Sequence, residues 1–501
     1  MRRVGWEPPP TENNSKLAPA RVDQASEATK TVSVDDGTAV LEEDAAMVGA
    51  TPAVQAEKAA AASTGSRSAR DVEMKVILRA RYARALGGVK RQQGRIASPK
   101  PPPRSFTIKA TKDIFILGGA RTAMAEYVGH FKDINANQLG AHAIKAALER
   151  SGVPAAEVEQ VVMGNAMQTS ADAMYGARHS ALKAGLSIET PALTVNRLCG
   201  SGIQSVISAS QLMLLGEAEV TVAGGMENMT QAPHVIRGAR DGFKLGQGAL
   251  EDSLMVALLD THCGLYMAQT AEKLAAKYGV DRKAMDEFSL RSQQTAAAAK
   301  SRGVFDEEVV PVEVKKGKSM VAVKDDDHMR ADTTLESLAG LRPAFGKDGM
   351  VTAGNASGIV DGAAALVLST SKSRGHGKPI ARVVSWAVAG VPPEIMGIGP
   401  APASRKALAD AGLKLEDIDL IEVNEAFAGQ YLAVEKELGL DRNKVNVNGG
   451  AIALGHPLGA SGTRILLSVA LELRRRKGRY GLATACIGGG QGIAMIIESI
   501  H

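Results

Sequence analysis

Cys199, Cys263 and Cys486 are the only cysteines among 501 residues. Three scattered thiols suit neither a disulfide framework nor a cysteine-based zinc site, so each acts through its chemistry or its packing. Cys199 stands in NRLCGSGIQSV, after the strand-like TPALTV and ahead of an apolar-periodic helix in which Ile203, Val206 and Ile207 share a face. Free backbone N–H groups and the positive end of a helix favour a thiolate, which makes Cys199 a candidate nucleophile. The other reading is a small hydrophobe at a tight turn. His456 stands in NGGAIALGHPLGASG, in a loop set by Pro457 and bracketed by Gly455 and Gly459, again just before a helix. It is either a base for Cys199 or a structural histidine.

Cys486 ends the strand GLATACI and enters the glycine run Gly488–Gly492. A dinucleotide fold would need a helix and an acidic residue after that run, and the strand-like IAMIIESIH closes the chain too soon. Glycines there suit close backbone approach to a ligand with N–H groups free for an oxyanion, or a plain turn between strands. Asn424, in LIEVNEAF, is a helix N-cap or a holder of a water or carbonyl beside His456. Arg330, in DDDHMRADT, and the small-residue run from Ala353 to Leu366 suggest an anionic ligand on a backbone-accessible surface.

These residues sit on a repeat. Ala147-Leu148 and Gly152 recur as Ala407-Leu408 and Gly412, and Ser201-Gly202 recurs as Ser461-Gly462, each displaced by 260 residues. One shared offset argues for duplicated halves, and it sets His456 near the place that Cys199 holds in the first half. Each half reads as helix, strand, glycine turn, long helix, strand, which predicts parallel-rich sheets covered by helices. The expected division is an extension at 1–112, a first half at 113–228 completed by 358–379, an inserted loop or lid domain at 229–357, and a second half at 380–501.

Composition narrows the rest. Charged residues make 23% and aromatics 3%, with 53 glycines, which suits a packed α/β protein and excludes collagen or coiled coil. Residues 1–66 carry 6 Lys/Arg against 10 Asp/Glu and residues 67–112 carry 13 against 2, which leaves −2 on 113–501. The body therefore has no nucleic-acid footprint. No apolar run reaches about 18 residues and no secretory signal opens the chain, so no membrane span is expected. Residues 1–72 read as disordered, and 74–112, which lack any acidic residue, read as a basic amphipathic helix followed by a proline-rich spacer. A cytoplasmic location is expected, or the mitochondrial matrix if translation begins near Met74.

Taken together, NRLCGSG, VNEAF, NGGAIALGHPLGASG, TAGNASGIVDGAAA and CIGGGQG resemble the thiolase family from about residue 113 to the C-terminus. The resemblance implies two similar halves in a five-layer α/β/α/β/α fold with an inserted loop domain. It implies acyl transfer between coenzyme A thioesters: a 3-ketoacyl-CoA and CoA give acetyl-CoA and a shortened acyl-CoA, or two acetyl-CoA condense. On that basis Cys199 takes up the acyl group, His456 activates it, and Asn424 holds a water for one oxyanion. Cys486 shuttles the α-proton, and the N–H groups of Cys199 and Gly488 form a second oxyanion hole. Arg330, Ala353 and Ser357 match CoA contacts, and Met267, Met396 and Phe427 match the acyl and pantetheine pocket. CoA is then substrate, no metal or other cofactor is implied, and a homodimer or homotetramer is expected. Tyr266 departs from the histidine that biosynthetic acetoacetyl-CoA thiolases place beside the Met, while IMGIGPAPA looks closer to mitochondrial-type 3-ketoacyl-CoA thiolases. A ketoacyl synthase would lack Cys486, and no G-x-S-x-G elbow supports a serine hydrolase.

Overall fold

The computed structural model describes residues 112–346, 348–375 and 378–501. The expected disordered segment and basic helix lie outside the described residues. The first half consists of β1 (Phe115–Thr122), α1 (Ala136–Ser151), β2 (Gln160–Gly164), β3 (Ala192–Val195), α2 (Ser201–Leu214), β4 (Val220–Glu227) and, after a long insertion, β5 (Val360–Ser369). The second consists of β6 (Ala381–Gly390), α3 (Pro400–Ala411), β7 (Leu420–Val423), α4 (Ala428–Leu438), α5 (Leu458–Arg476), β8 (Tyr480–Ile487) and β9 (Gln491–Ser499). The strands follow the order β7-β8-β9-β6-β1-β5-β4-β2-β3. From β1 outward the first half runs β1-β5-β4-β2-β3, and from β6 outward the second runs β6-β9-β8-β7. Where a counterpart of β3 would lie, Val445 bridges Ile421 in parallel.

The repeated residues have local reasons. Gly152 and Gly412 end α1 and α3 with φ of 67° and 69°, the left-handed position that glycine occupies without a Cβ clash. α1 begins on a capping box in which Asn135 accepts from the Gln138 N–H and the Gln138 side chain accepts from Asn135. Gly202 and Gly462 lie back to back where α2 and α5 meet. A Cβ on Gly202 would strike the Thr463 nitrogen, and one on Gly462 would strike the Ile203 nitrogen.

Alternation along the strands sorts side chains into three apolar cores. Val161 faces the outer core with Leu139 and Ile144 of α1, while Val162 faces the central core with Ile203 and Val206 of α2 and Ile465 and Leu466 of α5. Ile493 and Met495 of β9 also join the central core, whereas Ala494 and Ile496 join the third with Ala407 and Leu408 of α3. Helix, sheet, paired helices, sheet, helix is the resulting stack, the five-layer α/β arrangement expected. The sheets are less parallel than expected: β2–β3, β2–β4 and β7–β8 are parallel, but β5 and β9 run antiparallel to both of their neighbours. The cause in the second half is direct, because β9 returns from β8 through a tight glycine turn with no crossover helix.

Residues 229–357 contain more than loops. The helix Arg282–Ser301 runs for 20 residues. Its Phe288 stacks on Tyr431 of α4 at 4.0 Å between ring centroids, while Ala296 and Ala299 join the first half's outer core. Buried Arg121 at the end of β1 pairs with Glu308 at 2.9 Å and Asp326 at 2.7 Å, tying this stretch to the sheet. Among the described residues no helix is long and apolar enough to cross a membrane.

Candidate active site

Cys199 follows β3 in a short 3₁₀ turn, Leu198–Gly200, that runs straight into α2. Leu198 takes φ of 47°, a left-handed conformation that strains a non-glycine residue by about 1–2 kcal/mol. Hydrogen bonds hold it there: the Leu198 N–H donates to Asn196 Oδ1 at 2.9 Å, and Ser201 Oγ donates to the Leu198 carbonyl at 2.7 Å. Arg197 ties the turn to the second half, with Nε on Gln204 Oε1 at 2.7 Å and Nη1 on Gln491 Oε1 at 2.8 Å. Neither Leu198 nor Arg197 carries a signal in the sequence beyond its place next to Cys199.

The backbone N–H groups of Gly488 and of Cys199 itself favour the ionised sulfur of Cys199. Burial outweighs them and, with the charge of Glu227 adding, pushes the thiol up to about 11. Burial thus opposes the thiolate that the helix start favours. Cys486, near the end of β8 and fully buried, lies close enough to Cys199 for the two charges to oppose each other. Burial is the larger cause that pushes its thiol up. Met396 and Ala426 pack on Cys486, with Met267 and Phe427 against them. Met267 also roofs Gly488, where a Cβ would come within 3.1 Å of its sulfur.

His456 is 5% exposed, and its backbone N–H donates to the Gly358 carbonyl at 2.9 Å. Its Nδ1 lies 2.6 Å from Ser461 Oγ, which itself lies 3.1 Å from the Pro457 carbonyl. A hydroxyl that gives its one proton to that carbonyl can only accept from the ring, so Nδ1 carries the hydrogen and Nε2 keeps its lone pair. Ser461, singled out in the sequence only as part of the repeat, thus orients the His456 ring. Nε2 is 3.3 Å from Asn424 Nδ2, a geometry in which the amide donates to it. Burial first and the charge of Arg464 second lower His456 to about 3, so the imidazole also rests neutral.

Asn424 is not a helix cap. It closes β7 with its N–H on the Thr484 carbonyl at 2.9 Å, and α4 starts only at Ala428 with Phe427 as its cap residue. Its Oδ1 is buried without a partner among the described residues, an acceptor free for a water or a hydroxyl. Ser357 is in the same neighbourhood: its N–H donates to Ala426 at 3.0 Å, Ala356 bridges Phe427, and Gly358 next to it anchors His456. Ala353 lies farther along that strand-like segment and is exposed. Arg330 stands apart. Its guanidinium is 55% exposed and pairs with Glu126 at 3.0 Å, and the same Glu126 oxygen meets His328 Nδ1 at 2.9 Å. The His328 ring in turn lies against Gly358. Among the described residues no group of three or more His, Cys, Asp or Glu side chains is placed to hold a metal ion.

A thiol whose ionised form the Gly488 N–H favours, a second thiol beside it and a neutral imidazole whose Nε2 lone pair accepts the Asn424 amide can form and break a thioester and move a proton at carbon. Residues 114–372 match the family described as "Thiolase, N-terminal domain", and residues 377–499 match "Thiolase, C-terminal domain". The chain is 52% identical over 391 residues to a human mitochondrial 3-ketoacyl-CoA thiolase, covering 77% of this chain and 98% of the relative. It is 49% identical over 390 residues to an acetyl-CoA acetyltransferase of Cupriavidus necator, covering 77% and 99%. The crystal structure of the human mitochondrial 3-ketoacyl-CoA thiolase in complex with CoA superposes with a TM-score of 0.75 at 52% identity, over 78% of this chain and 98% of that one. With 114–372 and 377–499 matched by the two domain families and half of the aligned residues identical to a relative, the chain belongs to the thiolase family.

Proposed function

We propose that the protein transfers acyl groups between coenzyme A thioesters, cleaving a 3-ketoacyl-CoA with CoA to acetyl-CoA and a shortened acyl-CoA, and running the condensation in reverse. The observation that carries this reading is the pair of neighbouring thiols, half-buried Cys199 at the turn into α2 and fully buried Cys486 beside it. The names of the human and Cupriavidus relatives support the two directions of that one reaction.

In the thiolysis direction the Cys199 proton passes to His456 Nε2 as sulfur attacks the 3-keto carbon, and N–H groups at Cys199 and Gly488 take an oxyanion. The C2–C3 bond then breaks, and Cys486 gives its proton to C2 of the departing acetyl-CoA enolate, whose oxygen faces His456 and a water on Asn424. A thiol pushed up by burial suits that step, because it holds its proton until a strong carbon base appears. Incoming CoA returns a proton to Cys486 while its sulfur takes the acyl group, and His456 restores the proton of Cys199.

Met267, Met396 and Phe427 would shape the acyl and pantetheine pocket, while Ala353, Ser357 and Arg330 would contact CoA, with Arg330 released from Glu126. No cofactor beyond CoA enters this scheme. Homodimerisation is supported by the outer edge of β3, where Leu193 is 50% exposed beside exposed Met174 and Tyr175, since an open apolar edge strand seeks a partner. A mitochondrial matrix location is supported by the name of the human relative and by the Arg-rich, acid-free stretch 74–112. The division into 113–228 with 358–379, 229–357 and 380–501 is supported by the repeated strand order.

The test is CoA-dependent loss of 3-ketoacyl-CoA substrates from C4 to C16. Turnover to two acyl-CoA products, abolished in Cys199→Ala with CoA binding kept within roughly tenfold, is expected. Release of free acid without CoA would contradict it.

A further inference from the structure

Glu227, the last residue of β4, is a fully buried carboxylate that the proposed chemistry does not use. Its Oε1 accepts Asn165 Nδ2 at 2.9 Å and the Met167 N–H at 2.9 Å. Its Oε2 accepts the Ala166 N–H at 3.0 Å and the Gly459 N–H at 2.8 Å. Three donors belong to the loop after β2 in the first half. The fourth, Gly459, stands three residues after His456 in the first turn of α5 in the second half. Met167 and Leu458, next to two of these donors or identical with them, pack in one apolar cluster with Cys199 against it. The carboxylate thus joins the loop that flanks the nucleophile to the loop that carries the base.

We propose that Glu227 is a positioning residue of the acyl-transfer reaction, clamping the His456 loop onto the Cys199 side of the site through its shared hold on Gly459, Ala166 and Met167. This rests on the reading of Cys199 as the acyl carrier. Four N–H donors converge on two oxygens, a pattern only an ionised carboxylate satisfies. A glutamine would set an NH2 group against two of them, and a protonated glutamate would set an O–H against one.

Stability alone does not explain the residue. Among the described residues no Lys, Arg or His forms an ion pair with it, and Asp361 adds a second negative charge. Burial, the larger cause, raises the carboxyl to about 7. A carboxyl raised in the folded state weakens folding as pH climbs from its unfolded value of 4.5 through about 7, so at neutral pH the ionised form is held against stability. Another buried carboxylate, Glu425 of the second half, makes no such crossing. Its donors are Asn446 Nδ2 at 2.7 Å and the Ile452 N–H at 3.2 Å within that half, plus Ser292 Oγ at 2.7 Å from the insertion.

The experiment compares wild type, Glu227→Gln and Glu227→Asp as full chains in rapid-quench acylation of Cys199 by an acyl-CoA, with the pH profile of Cys199 alkylation by iodoacetamide alongside. In Glu227→Gln we expect acylation slowed about a hundredfold, the size of a 1 Å misplacement, with KM for acyl-CoA within threefold. The alkylation midpoint should also fall, because the negative charge of Glu227, which opposes a thiolate at Cys199, is gone. Glu227→Asp keeps the charge but shortens the reach, so acylation should slow while the alkylation midpoint stays near wild type. Acylation within threefold of wild type in Glu227→Asp overturns the proposal, and that variant decides alone if Glu227→Gln does not fold. A rise in KM with an unchanged acylation rate overturns it too. Absence of acylation at Cys199 in the wild type would instead refute the function on which the proposal rests.

Discussion

Cys199 and Cys486 are neighbours with different surroundings, and that difference assigns them different work. Cys199 lies partly open, with the Gly488 N–H favouring its ionised form, whereas Cys486 is fully buried among Met396, Ala426, Met267 and Phe427. Cys486→Ser should therefore still acylate at Cys199, yet exchange the α-protons of acetyl-CoA with D2O and condense it slower by several orders of magnitude, at about tenfold per 1.36 kcal/mol. His456→Asn should do the reverse and slow acylation first. Rapid-quench acyl-enzyme measurement beside deuterium exchange by NMR checks both, and equal loss of both half-reactions in Cys486→Ser would make that cysteine structural. The neutral resting pair makes a further prediction. A thiol pushed up to about 11 and an imidazole lowered to about 3 cannot form a standing ion pair near neutral pH. Iodoacetamide alkylation of Cys199 should keep rising with pH beyond 9, and a plateau between pH 4 and 8 would reveal a preformed thiolate instead.

The reactive turns are held by the crossing of α2 and α5 at Gly202 and Gly462. A Cβ on Gly202 meets the backbone of Thr463, which has no flexible end to yield. Gly202→Ala should destabilise by about 1–3 kcal/mol in urea unfolding and also lower kcat, since the same crossing sets Cys199 and the His456 loop. Unchanged stability and activity would show that the helices can part without loss. This crossing is legible in the sequence: Ser201-Gly202 and Ser461-Gly462 at one offset mark the two helix starts, and the five motifs mark Cys199, His456, Asn424 and Cys486. The illegible part follows from burial. A helix start argues for thiolate only while water is present, and the sequence carries no measure of how far the sulfur is dehydrated. Asn424 reads equally well as a cap, because the residues separating it from α4 look helical in EAFAG. The turn into β9 is legible, since the strand GLATACI meets a glycine run and then the strand-like IAMIIESIH, whereas alternating elements elsewhere suggest more parallel pairing than the sheets have.

At the scale of the whole molecule, every side chain given a part in the chemistry lies at position 199 or beyond, and residues 1–105 hold none of the five motifs. Deleting 1–105 should leave kcat/KM and Tm nearly unchanged, and a large loss of either would show that the extension packs on the body. In the proposed scheme the two halves meet at one reaction, with Cys199 from the first and His456, Asn424 and Cys486 from the second. The most direct measurement of that account is peptide mapping by mass spectrometry after rapid quench of the full chain with one equivalent of a 3-ketoacyl-CoA and no added CoA. The account predicts one equivalent of acetyl-CoA released and the shortened acyl group on Cys199. An adduct on Cys486 or Cys263, or intact substrate with no adduct, would contradict it.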